Sequence, residues 1–138
     1  MQTYFVLATA AGEIMTIPVD NPANKVSIDI DSKDIVCSLT CQHSTAYLGT
    51  ESGAVLKVDL NSRKVVTSYD SGSKFPIFNI KTAKNRLILG TCQGELHLTD
   101  LDLKEARVIS AHHAMISMLL ISGSILYTTG DDMILRVW

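Results

Sequence analysis

One pattern recurs four times along the chain. Leu7-Ala8-Thr9 followed by Gly12, Leu48-Gly49-Thr50 followed by Gly53, and Leu89-Gly90-Thr91 followed by Gly94 superpose with a step of 41 residues. A fourth copy, Tyr127-Thr128-Thr129 with Asp132 in the glycine column, follows after 38 residues. On this alignment Thr9, Thr50, Thr91 and Thr129 share a column, and Ile14, Val55, Leu96 and Ile134 form an apolar one. Ile17, Val58, Thr99 and Val137 are all β-branched. Such a period marks an array in which each unit is one supersecondary piece that buries its apolar face against its neighbours.

The short-range pattern says what a unit is. In residues 45–60 two β-rich runs flank Glu51-Ser52-Gly53, where glycine supplies the positive φ of a tight hairpin. Ala11-Gly12 and Gln93-Gly94 repeat the signal, giving hairpins near 4–19, 45–60, 86–101 and 124–138. Upstream of the later hairpins lie runs read as alternating: Cys37, Leu39 and Cys41; Phe78 and Ile80; Ile116 and Met118. Ser38, Asn79 and Ser117 sit between those apolar positions. Lys64 to Ser68 and Ala106 to Ser110 add a further strand downstream. Four short strands per unit without a helical period predict an all-β chain, a β-propeller built of four-stranded antiparallel blades. A β-sandwich also spaces short strands evenly, but it needs no such period.

The last unit carries a family resemblance. His112, then Tyr127-Thr128-Thr129-Gly130-Asp131-Asp132, then Ile134-Leu135-Arg136-Val137-Trp138 resembles a WD repeat, with Ala111 in place of the glycine before the histidine. The resemblance implies a buried hydrogen-bond network of His112, Thr128, Asp132 and Trp138, structural rather than catalytic. In the other units Asp132 corresponds to Gly12, Gly53 and Gly94, and Trp138 to Pro18, Asp59 and Asp100. Lys33 and Lys74 fall near the histidine position, so packing and strand pairing alone are expected to hold those blades. The run Leu89-Gly90-Thr91 to Asp100-Leu101 is also similar to the quinoprotein type of propeller repeat.

Counting strands gives three for the first copy (near 4–9, 13–19 and 25–30), four each for 34–70 and 75–110, and three for the last. Residues 1–138 thus read as one propeller domain, or part of one, of about three and a half blades. Propellers close with about four to eight blades. The expectation is therefore a partial ring, completed by a second copy, by another chain, or by the rest of a longer protein. Open blade faces and strand edges are otherwise exposed.

Composition narrows the class. Twelve Lys and Arg against fourteen Asp and Glu leave a net charge of −2, which disfavours a non-specific polyanion binder. The run from Ala114 to Ile121 is too short to span a bilayer, so no membrane partner is expected. Ala8-Thr9-Ala10 could imitate a cleavage site, but no basic segment precedes it, which argues against a signal peptide. Three cysteines at no framework spacing fit a reducing compartment, hence an intracellular, cytoplasmic protein with the nucleus left open.

Candidate chemistry is sparse. Cys37 and Cys41 would lie about 13 Å apart on a strand rising roughly 3.3 Å per residue, too far for one zinc, and read as buried core. Cys92 falls in a turn as a plain thiol. Asp131 and Asp132 point apart as neighbours on a turn, and no base or nucleophile is placed beside them. No phosphate loop, HExxH helix or nucleophile elbow occurs. The chain reads as non-catalytic, without cofactor or metal. WD-repeat propellers are mostly platforms for other proteins, and the resemblance implies that role here. Contact candidates are the turn residues Lys33, Glu51, Ser52, Lys74, Phe75, Gln93, His113 and Asp131. Phe75 either anchors a partner or packs between blades ahead of Pro76. The alternatives are a quinoprotein-like propeller enzyme and a structural piece of a larger propeller.

Overall fold

The computed structural model describes residues 3–9, 11–30 and 33–138. Within them the chain forms four antiparallel sheets in sequence order. The first holds β1 (Tyr4–Ala8), β2 (Ile14–Pro18) and β3 (Val26–Ile28). The second holds β4 (Val36–Gln42), β5 (Thr45–Thr50), β6 (Ala54–Asp59) and β7 (Lys64–Asp70). The third holds β8 (Ile77–Ala83), β9 (Arg86–Thr91), β10 (Glu95–Asp100) and β11 (Ala106–Ser110). The fourth holds β12 (Ile116–Ser122), β13 (Ile125–Gly130) and β14 (Leu135–Val137). Each sheet is a meander whose neighbours in sequence pair in space. This is the all-β propeller architecture, present as an arc of blades with two four-stranded sheets between two three-stranded ones.

Three apolar clusters lie at the joints between sheets. Ile14, Ile28 and Ile30 meet Ala46, Leu48 and Val58 at the first joint. Tyr47 and Val55 meet Ile77, Ile80, Leu87 and Leu89 at the second. Ile88, Leu96 and Ala111 meet Ile116 and Leu119 at the third. Middle strands such as β5 and β9 therefore bury both faces, one against each neighbouring sheet, which is why they read as apolar runs.

The inner strands depart from the simple alternation expected of them. Each carries a register shift at the same place: Val36/Ser38 in β4, Ile77/Asn79 in β8 and Ile116/Met118 in β12. The bulged residue is Cys37, Phe78 or Ser117. One inserted residue changes which side chains face the core, so Ile77 and Ile80, or Ile116 and Leu119, are buried together although three residues apart. Phe78 and Met118 are instead 47% and 54% exposed. The buried-core reading of the cysteines fails for the same reason, since Cys37 is half-buried and Cys41 exposed. The position after the bulge holds Ser38, Asn79 and Met118, polar in the first two only, while Ser117 is itself the bulged residue.

That position ties one sheet to the next. Ser38 Oγ donates to the Ile77 carbonyl at 2.5 Å, and Asn79 Nδ2 donates to the Ile116 carbonyl at 2.8 Å. The incoming isoleucine needs room, and Gly49 and Gly90 provide it. A Cβ on Gly49 would lie 2.7 Å from Ile77 O, and one on Gly90 2.9 Å from Ile116 Cγ2. Further ties reinforce the second joint: Tyr47 OH donates to Leu101 O at 3.0 Å, and Lys57 Nζ meets the Asp102 carboxylate at 2.6 Å. The units without the WD-like network are thus held by polar bonds between sheets as well as by packing and pairing.

The β-ladders also correct the fourth copy's alignment. Ile77 pairs with Thr91 and Ile116 with Gly130, so the step is 39 residues and Gly130 takes the threonine place. Met133 then falls in the glycine column. It has φ 61° and donates to Gly130 O, as Gly53 (φ 90°) and Gly94 (φ 80°) donate to Thr50 O and Thr91 O. Leu135, not Ile134, joins Ile14, Val55 and Leu96, and Trp138, not Val137, joins Ile17, Val58 and Thr99.

Two substitutions test these joints. Asn79→Ala should cost about 1 kcal/mol by leaving Ile116 O without its side-chain donor. Gly53→Ala should cost about 2 kcal/mol or more, because a Cβ there would lie 1.9 Å from Ser73 O on backbone with φ 90°. Urea unfolding followed by circular dichroism measures both; an unchanged midpoint for either would remove the corresponding joint from the account.

Candidate functional site

At one end of the sheets, the loop entering each inner strand packs against the turn between the second and third strands. In the last unit this contact is a hydrogen-bonded run of four side chains. Trp138 Nε1 donates to Thr128 Oγ1 at 3.1 Å, Thr128 Oγ1 lies 2.8 Å from His112 Nε2, and His112 Nδ1 lies 2.9 Å from Asp132 Oδ1. Indole N–H can only donate, so the Thr128 hydroxyl accepts it and gives its own proton to Nε2. The remaining imidazole proton then sits on Nδ1 and goes to the carboxylate. Asp132 also accepts from the backbone N–H of His113 at 3.1 Å and of Ile134 at 3.2 Å. Burial opposes charge on Asp132, but the bonds from His112, His113 and Ile134 outweigh it and hold its carboxyl below the ordinary range. Arg136 adds its guanidinium, with Nη1 3.4 Å from Asp132 Oδ2. The sequence assigned Arg136 no role; its position opposite Thr128 in the ladder is what delivers it.

The network explains its own misalignment. Thr9, Thr50 and Thr91 cap their hairpins through Oγ1, which accepts from the N–H of Glu13, Ala54 and Glu95 respectively. In the fourth unit the His112 ring fills that space. A Cβ on Gly130 would stand 2.6 Å from His112 Nδ1, so the threonine is replaced by glycine and Asp132 caps the turn instead. Histidine and threonine are alternative solutions to one site.

Lys33 and Lys74 do not occupy the histidine place. Ser73 does: its carbonyl abuts Gly53 as the His112 carbonyl abuts Gly94. Ser73 Oγ is buried without a hydrogen-bond partner among the described residues. Lys33, Lys74 and His113 instead share the next column, and all three are exposed. Glu51 and Asp131 share a turn column and are exposed, as is Gln93. Ser52 is exposed too, with its hydroxyl and N–H engaged by the Asp34 carboxylate and its hydroxyl near that of Thr50. Phe75 is 47% exposed beside Lys74.

A second buried group escaped the sequence reading. His97 is buried between the second and third sheets, with Nδ1 3.0 Å from Tyr69 OH and Nε2 3.3 Å from Glu95 Oε2. Burial, with Asp70 and Glu95 nearby, pushes the Tyr69 phenol above its usual value. Neither residue belongs to a repeated column, so nothing in the pattern marks the pair. Burial likewise raises the thiols of Cys37 and Cys92, which are poor nucleophiles in that state. Among the described residues no three His, Cys, Asp or Glu side chains gather as metal ligands. What the rim can do is present exposed side chains on a fixed frame.

The fold has close counterparts among solved structures. The computationally designed Ika4 protein matches with a TM-score of 0.84 at 18% identity, over 98% of this chain and 84% of its own. A chain of the mitotic checkpoint complex matches with a TM-score of 0.85 at 18% identity, over 96% of this chain. The computationally designed Ika8 protein matches with a TM-score of 0.81, also at 18% identity and over 96% of this chain. This chain spans only 42% of the length of each of the latter two. At such identities the likeness is one of fold. No family model and no curated protein sequence matches the chain.

The network predicts two effects. Trp138 is 44% exposed, so Trp138→Ala should cost about 2 kcal/mol, below the roughly 3–5 kcal/mol of a fully buried indole. The Asp132 carboxyl lies lower in the folded chain than in the unfolded one, where it titrates near about 3.9. Its contribution is complete above the unfolded value and is lost as pH falls through the folded one. Asp132→Asn should therefore destabilise the chain at neutral pH, with the gap to the parent closing below about pH 4. Denaturant titrations of both proteins across pH measure this, and a gap independent of pH would contradict it.

Proposed function

We propose that this chain is a WD-repeat-type propeller segment serving as a rigid, non-catalytic platform for other proteins in the cytoplasm. The WD assignment is supported by the Trp138–Thr128–His112–Asp132 run. The observation that carries the platform reading is the alignment of exposed residues on one rim. Lys33, Lys74 and His113 recur at one loop position, and Glu51 and Asp131 at one turn position. They are displayed from backbone that hydrogen bonds fix, such as Glu51 N–H to Ile35 O at 2.8 Å and Asp131 N–H to Met115 O at 2.9 Å. Phe75 supplies the aromatic surface around which interface energy concentrates. A net charge of −2 and the mixture of signs on the rim suit protein partners better than nucleic acid, and three free thiols suit a reducing compartment.

The test places a photo-crosslinking amino acid at position 75 or 113 and, as a control, at exposed Val108 on the outer strand β11. Defined protein adducts in cells from 75 and 113, missing from 108, are the expected result. Adducts from none of the three, or the same adducts from all, would overturn the platform reading.

A further inference from the structure

We draw no further inference here: the strongest candidate, the apolar cleft of about 370 Å³ between the third and fourth sheets, lined by Ala83, Ile88, Ile121 and Leu126, carries nothing, because at the second joint the counterpart of Ile88 is Tyr47, which bonds Leu101 in the loop after β10, and nothing in the structure shows what covers the cleft at the third.

Discussion

The arc depends on a bulge. Each complete inner strand inserts one residue after its leading aliphatic side chain, and that insertion performs two tasks. It turns the leading and fourth residues to the same core, and it aims the third residue forward at the next sheet. A regular strand could place two aliphatic side chains on one face only at even spacing, which would leave the donor pointing elsewhere. The glycines opposite the bulge complete the joint by letting an isoleucine approach the backbone of the preceding sheet. Burial at the three apolar clusters supplies most of the stabilisation of such an interface, while the bulge sets the angle at which burial can occur.

Among the described residues, the second, third and fourth units solve the loop-to-turn contact differently within that common frame. The last uses an imidazole and a carboxylate, with an indole and a hydroxyl completing the run. Its glycine at position 130 is a consequence of that choice, since ring and threonine methyl compete for one volume. The second sheet joins its loop and turn through Asp34 and Ser52, and His97 on β10, held by Glu95, reaches Tyr69 on β7 across the joint between the second and third sheets. The devices around His112 and His97 satisfy buried polar groups that would otherwise oppose folding. Degeneracy in the repeat therefore reflects substitution of one set of contacts by another, with the strand frame unchanged.

The period, the hairpins and the all-β class were legible because they rest on columns: Leu48 and Leu89, Thr50 and Thr91, Gly53 and Gly94. The bulge was not, because an inserted residue inside Val36-Cys37-Ser38-Leu39 still resembles alternation when cysteine counts as apolar. The same blindness put Ser117 where Met118 belongs. The fourth copy slipped by one residue because Thr129 mimics a threonine that Gly130 has displaced. His112, Thr128, Asp132 and Trp138 were named from resemblance, whereas Arg136 and the Tyr69–His97 pair required three-dimensional neighbours. Local pattern reports what repeats; contacts made once leave no trace in it.

The joint between sheets gives the array a direction. The second and third units each carry a socket on the forward side and a knob on the backward side, and the pair spans the boundary between two copies of the same stretch of sequence. A tandem duplication of the second or third unit would bring a matching socket and knob with it, so the added blade would arrive already fitted on both sides. A duplication of the fourth would carry Thr129 and Met118 in place of that glycine and donor, and its joint would lack the polar tie. Growth by copying is in this way provided for in the middle of the series, a grammar of recombination written in two glycines, a serine and an asparagine.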